Sequence, residues 1–409
     1  MVRKIAKNTL FLSLSQIIAR GIGFFYFIFL ARVLGVETFG IYNFTLAFIY
    51  NFVPVADFGI ERLVLRDISR KPEKTQFYFS RLLPLRFLLA IFAYFAALFL
   101  GIILGQPLKQ IFYLAIFGLS LIPYSLTYLI ASFQNAQEKM EYMAMANVGT
   151  ISLTAFLGIT FVFAQLSLIW ILLAYVLGQL IIALIFLVKS SSWHLPLNWV
   201  VDRGFWRKAL SQSWVFAALT ILAVFYLRLS LVLVGILKGA YFTGLYGSAF
   251  KFIEAMILIP QSLALALFPL SSRLFVNDKK NLAAVYKRGL GVLFLFSLPF
   301  SLVLVFFAKW IVSFSYGQDY LPAAPVLSVL GVALVLFFVN ALPANIILNS
   351  PKVRRFLPLA VLNFLIAIFL CLFLIPRYSV LGAAWAVLGG EAAGLLINNW
   401  FVWKVLRSG

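Results

Sequence analysis

Long apolar runs, separated by short clusters of charged and turn-forming residues, make up almost the whole chain. A helix needs about 20 such residues to cross a hydrocarbon layer roughly 30 Å thick. That length predicts helices near 8–34, 40–63, 81–105, 110–133, 144–164, 168–188, 208–237, 242–270, 288–316, 322–348, 356–376 and 380–404. The first run follows Arg3, Lys4 and Lys7, as in a secretion signal. It continues to about residue 34 without a small-residue cleavage pattern, so it reads as the first membrane helix. An even number of crossings returns the chain to the side on which it began. Pro54, Pro123, Pro260, Pro299 and Pro343 fall inside predicted helices 2, 4, 8, 9 and 10, where proline gives either a working bend or a static kink that packing tolerates.

The two halves echo each other. Thr38-Phe39-Gly40-Ile41-Tyr42 opens predicted helix 2, and Phe242-Thr243-Gly244-Leu245-Tyr246 opens predicted helix 8. The match continues loosely through Phe48 and Phe252 to Pro54 and Pro260. Gln134-Asn135-Ala136 closes helix 4 and Leu348-Asn349-Ser350 closes helix 10, each before a polar turn. The shared order predicts an all-α integral membrane protein of about twelve transmembrane helices in two six-helix lobes. These are residues 1–188 and 208–409, joined by a cytoplasmic linker at 189–207. Duplicated halves put a functional site at their interface near the bilayer midplane, where rocking exposes it to each side in turn.

Composition agrees with lipid as the solvent: of 409 residues, 64% are hydrophobic and 11% charged, and the mean hydropathy is +1.05. The net charge of +21 raises the question of nucleic acid. The basic residues fall in clusters between apolar runs rather than along one soluble surface, which excludes that partner. With both termini in the cytoplasm, 24 of the 33 Lys and Arg residues fall on inner segments, Arg81 and Arg86 among them. Only 5 (Arg32, Lys109, Lys238, Lys309 and Arg377) fall outside, and 4 lie within spans. That bias predicts a multi-pass protein of the cytoplasmic membrane in this orientation.

Catalytic and redox chemistry have little to build on. One cysteine, Cys371, excludes an intrachain disulfide, and one histidine, His194, leaves no metal cluster or Cys/His dyad. No cofactor is expected and no enzymatic activity. Outer loops are only a few residues long, and the inner loops near 64–80, 189–207 and 271–287 are too short to fold as domains. The chain has no G-x-x-x-x-G-K-[ST] phosphate loop, so transport would draw on an ion gradient or on the substrate's own gradient.

The charges inside the spans carry the candidate chemistry. Each costs roughly 2.5–3.5 kcal/mol at a helix centre and therefore faces a bundle interior or a watery cavity. Arg20 on helix 1, Arg228 on helix 7 and Lys251 on helix 8 fall at comparable depth and come from both halves; Arg62 lies nearer the inner end of helix 2, where it either faces the cavity or snorkels. Guanidinium groups fork onto oxyanions and stay charged, so a cationic cavity favours phosphate or carboxylate. Four acids accompany them. Asp57, a candidate for ion coupling, and Glu61 are near the inner end of helix 2, Glu254 is one turn from Lys251 and either neutralises it or serves ion coupling, and Glu391 is isolated at mid-depth on helix 12. Glu391 is the best candidate for a proton carrier or sodium ligand. Gln16, one turn from Arg20, and Tyr26, Tyr50 and Tyr226 are placed to contact sugars or to pack.

Leu30-Ala31-Arg32-Val33-Leu34-Gly35 through Phe39-Gly40-Ile41-Tyr42, then Asp57-Phe58-Gly59-Ile60 with Arg66-Asp67-Ile68, resembles the opening of the polysaccharide-biosynthesis (Wzx-type) flippases. Gly244-Leu245-Tyr246 to Lys251, Phe268-Pro269 with Ser272-Arg273, and Leu381-Gly382-Ala383-Ala384-Trp385-Ala386 look like later landmarks of that family. The resemblance implies the V-shaped pair of lobes shared with multidrug extruders and lipid II flippases. It also implies export of oligosaccharide units, such as O-antigen, carried on undecaprenyl diphosphate or a similar polyprenyl carrier. H+ or Na+ would be the coupling ion, with polysaccharide polymerase and glycosyltransferases as candidate partners. The cationic cavity of the family carries over to Arg20, Arg228 and Lys251 by residue type and depth alone. The rival readings are a multidrug or organic-cation antiporter on the same fold, which would want acids in the cavity, a membrane sugar-polymer ligase and a scaffold for a polymer-synthesis complex.

Overall fold

The computed structural model describes residues 2–193, 195, 197–257, 259–262, 279–350 and 353–407. His194, the landmarks Phe268, Pro269, Ser272 and Arg273, and the tail of predicted helix 8 lie outside the described residues. Helices dominate: α1 (Val2–Tyr50), α2 (Val53–Asp57), α3 (Ile60–Ile68), α4 (Thr75–Ile103), α5 (Leu108–Gly118), α6 (Leu121–Ala136), α7 (Glu141–Phe163), α8 (Leu168–Ser190), α9 (Arg203–Lys238), α10 (Ala240–Met256), α11 (Lys279–Phe306), α12 (Ala308–Tyr316), α13 (Ala324–Asn349) and α14 (Val353–Arg407). Among the described residues, ten helical stretches are long and apolar enough to cross a membrane.

Two of those stretches are each far longer than one crossing. At about 1.5 Å per residue, the 49 residues of α1 would reach about 73 Å, more than twice the hydrocarbon thickness. α1 breaks at Gly35 (φ 71°, ψ 167°) and the 55-residue α14 at Ser379 (φ 53°, ψ −132°), so each supplies two apolar segments. Counted this way the segments correspond to the twelve predicted from hydropathy. Gly35 suits its break because a left-handed φ costs glycine nothing.

Predicted helix 2 is not one continuous rod. α1 ends at Tyr50, α2 occupies five residues with Pro54 near its start, and Phe58 (φ 48°) and Gly59 (φ 74°) then adopt left-handed backbone. The Asp57 carboxylate accepts hydrogen bonds from the backbone N–H of Gly59 (3.0 Å) and Glu61 (3.2 Å), which satisfies donors at the start of α3. Predicted helix 4 likewise divides into α5 and α6, with Pro123 in the first turn of α6. Pro260 lies just past the end of α10, whereas Pro299 and Pro343 sit inside α11 and α13 without breaking them.

The chain forms two compact units, Met1–Phe27 with Thr45–Phe225, and Ile28–Phe44 with Tyr226–Gly409. In the first, α6 packs between α4 and α8, and Phe79 meets Phe133 edge-on at 5.4 Å in a core that also holds Leu82, Ile130 and Phe186. In the second, α13 packs against α11 and α14, with Phe338 and Leu342 buried. Large apolar residues such as Phe95, Phe99 and Leu396 remain exposed, as a lipid-facing surface requires.

Residues 28–44 meet α10 in the second unit through the two glycines of the sequence echo. A Cβ on Gly40 would fall 1.8 Å from the Ala240 carbonyl oxygen, and one on Gly244 would fall 2.1 Å from that of Val36. Each glycine thus lies on the carbonyl four residues before the other, a locally two-fold crossing that only a residue without a side chain permits. Three of the basic residues that the charge bias assigns to the outer side also have local partners in this unit. Arg32 donates to the carbonyls of Phe314 and Ser315 at the end of α12, Lys238 donates to that of Pro376 (2.9 Å), and Arg377 lies over the Phe373 ring. Cations at helix ends and kinks are favourable there, so these residues are held by local geometry against the overall charge bias.

Candidate functional site

In the second unit, α9 and α10 bring Arg228, Lys251 and Glu254 together. Glu254 Oε2 accepts from Lys251 Nζ at 3.1 Å, one helical turn away, and Glu254 Oε1 lies 3.4 Å from Arg228 Nη2. All three side chains are about three-quarters buried. The Lys251–Glu254 pair readable from the i, i+3 spacing therefore forms, and Arg228 from the neighbouring helix joins it. Two cations thus share the one Glu254 carboxylate.

Glu391 has a different environment in the same unit. It is 5% exposed, its carboxylate accepts from Asn340 Nδ2 at 2.8 Å, and the Tyr226 hydroxyl also bonds to it. Asn398 in turn donates to Asn340 (3.3 Å), and Asn363 bonds to Tyr226. Among the described residues no Lys or Arg lies within ion-pair distance of Glu391. Placing a carboxylate charge in such a site without a counter-ion costs several kcal/mol, so neutral donors and a small cation are the partners that suit it.

The first unit holds the remaining candidates. Gln16 and Arg20 lie one turn apart on α1, Gln16 half-buried and Arg20 exposed. Arg62 on α3 is exposed and stacks over the Phe216 ring at 5.4 Å. Asp57 forms an ion pair with Arg86 of α4, whose side chain is 2% exposed and whose Nε also donates to the Ser125 carbonyl at 3.3 Å. Arg86, counted among the inner basic segments although it falls within the predicted helix 81–105, is thus not a solvent-facing charge. It is a buried cation that fixes the Asp57–Gly59 break, and its position inside an apolar run was the available signal. Tyr26 packs its ring end against Gly158, and Tyr50 lies edge-on to Phe117 and Tyr175, so both are packing residues; Tyr226 reaches Glu391.

At the start of α9 in this unit Asp202 caps the helix. Its Oδ1 accepts from the Phe205 N–H (2.9 Å), and its Oδ2 pairs with Arg81 (3.0 Å). Those two contacts, the backbone donor first and the guanidinium second, hold its carboxyl below the usual aspartate value.

With this arrangement established, comparison with known proteins assigns the class. The sequence pattern of the family described as polysaccharide biosynthesis protein matches residues 5–275, and the chain belongs to that family. A Shigella flexneri protein whose name assigns it to O-antigen transport is 24% identical over 384 residues, 88% of each chain. An uncharacterized membrane protein of Methanocaldococcus jannaschii is 25% identical over 189 residues, 43% of this chain; the match spans only 37% of that relative's length. The fold is that of a lipid II flippase in an inward closed conformation (TM-score 0.76, 17% identity, 97% of this chain and 89% of that one). It is equally that of an inward-facing multidrug transporter of the MATE family (TM-score 0.76, 11% identity, 95% of each chain).

Proposed function

We propose that the protein flips a lipid-diphosphate-linked oligosaccharide across the cytoplasmic membrane, using two six-helix lobes that alternate access to a central cationic cavity. The Arg228–Lys251–Glu254 cluster carries this reading, because two basic groups around one acid suit the diphosphate of a lipid carrier and repel an organic cation. Family membership supports the substrate class. Arg20, Gln16 and Arg62 are the residues by which the first half would complete the cavity. The sugar follows the diphosphate through the cavity while the lipid tail stays in the bilayer.

Glu391 is the proposed coupling site. Its neutral donors leave a place for a proton or Na+, whose arrival and departure would bias the carrier between its two states. Reconstitution tests both parts: Arg228→Ala should abolish movement of a fluorescent undecaprenyl-diphosphate oligosaccharide, and Glu391→Gln should remove its dependence on an ion gradient. Movement of organic cations with no movement of the lipid-linked sugar would instead favour an antiporter.

A further inference from the structure

A concave site of about 560 Å³ opens at the end of the first unit that the Lys/Arg bias assigns to the cytoplasm. Its walls are α3, the turn that follows it, and the first turns of α4 and α9, all within that unit. Two helical stripes pack against each other at its edge, and Arg66, Arg70, Lys208 and Gln212 from them line it. Arg62, Arg66 and Arg70 recur every four residues on and just beyond α3, and Lys208, Gln212 and Phe216 do so on α9. The stripes run in opposite directions and pair as rungs: Arg62 over the Phe216 ring at 5.4 Å, and Arg66 Nη2 on Gln212 Oε1 at 2.8 Å. The third rung would set Arg70 toward Lys208, both of which line the cavity.

Most rungs of such a ladder have a local partner, and the last has a second cation. Asp67 is the one acid lining the cavity, and both its oxygens are engaged, Oδ1 by Arg66 (2.7 Å) and Oδ2 by the Tyr78 hydroxyl (3.2 Å). Among the described residues, no carboxylate lies within ion-pair distance of Arg70, Lys71, Lys74 or Lys208. Four such cations around one concavity repel one another unless an anion sits among them. The adjoining wall is aromatic, with Phe205 edge-on to Phe77 at 5.7 Å and to Tyr78 at 5.1 Å. Cations beside aromatic rings suit the depth at which lipid headgroups meet acyl chains.

We propose that this cavity binds the phosphate-bearing headgroup of a lipid in the inner leaflet, with Arg70 and Lys208 as its principal ligands and Lys71 and Lys74 contributing charge. The proposal concerns binding alone and stands independently of the transport reading. The phosphate could belong to a resident phospholipid or to a polyprenyl carrier.

The test uses the full chain in nanodiscs of phosphatidylcholine, titrated with phosphatidylglycerol in one arm and with undecaprenyl diphosphate in the other, binding being read by native mass spectrometry. Both retention by the wild type and a loss of about tenfold in the Arg70→Ala/Lys208→Ala double variant are expected, given the modest worth of each exposed charge. Lys208→Arg and the distant Lys109→Ala should bind as the wild type does. Unchanged binding in the double variant, or an equal loss in Lys109→Ala, would overturn the proposal. A stronger response to undecaprenyl diphosphate identifies the carrier as ligand, and an equal response identifies a resident phospholipid. Should the double variant fail to fold, wild-type binding must still weaken as salt rises; insensitivity to salt would count against the site.

Discussion

Arg86 and Asp57 show what a single buried ion pair does in this chain. The arginine is sealed among α4 and α6 and meets a carboxylate that also ties down the backbone at Gly59 and Glu61. Removing one partner strands the other's charge, which costs about 3–5 kcal/mol. Arg86→Ala should therefore lower the thermal midpoint in detergent sharply, with a double Arg86→Met/Asp57→Asn variant recovering part of the loss. A midpoint unchanged in the single variant would show that the pair holds nothing together.

Asp202 makes a smaller contribution, and its pH dependence is fixed by its contacts. Its folded pKa lies below the ordinary value, so its stabilising effect is complete above the usual carboxylate range and fades as the pH falls through the depressed value. The midpoint difference between wild type and Asp202→Ala should be constant around neutrality and shrink in acid. Sequence reading missed Arg86 and Asp202 for different reasons. Arg86 was assigned by its neighbourhood of basic residues, and Asp202 is recognisable only once the start of α9 is known. The Lys251–Glu254 pair was legible because it lies on one helix face, whereas the reach of Arg228 from another helix was not.

At the scale of elements, the apolar runs sufficed to locate nearly every helix, since hydropathy reports the length each must have in lipid. They could not show that the motif Asp57-Phe58-Gly59 is a break, because two successive left-handed residues leave no mark on hydropathy. Nor did they show that α5 and α6 are separate. The echo between Gly40 and Gly244 was legible as a repeat, and its physical reason is the close crossing of the two segments that carry it. Gly40→Leu and Gly244→Leu should each weaken that crossing and reduce export. Gly21→Leu and Gly291→Leu, where a Cβ meets nothing within 4 Å, should be tolerated far better. Equal effects at all four positions would mean that the crossing is irrelevant.

For the whole molecule, the family and the fold follow from sequence pattern and architecture together, and the function rests on how charge is distributed within them. Basic groups dominate the Arg228–Lys251–Glu254 cluster, while the buried Glu391 is held by amide and phenol donors. That separation of a basic cluster from a buried acid with neutral donors is what supports the proposed ion-coupled export of an anionic substrate. Glu391 itself was legible as an isolated charge; Asn340 was not, and Tyr226 was legible as a polar aromatic but not as a neighbour of Glu391, because neutral polar residues in a long apolar sequence give no warning of the partners they meet.

The decisive measurement is leaflet exchange of a fluorescent undecaprenyl-diphosphate oligosaccharide in liposomes holding the purified wild type, Arg228→Ala or Glu391→Gln. Rapid exchange by the wild type, none by Arg228→Ala and exchange indifferent to the ion gradient by Glu391→Gln is the predicted result. Wild-type rates from a correctly inserted Arg228→Ala protein would contradict the anion site on which the account rests.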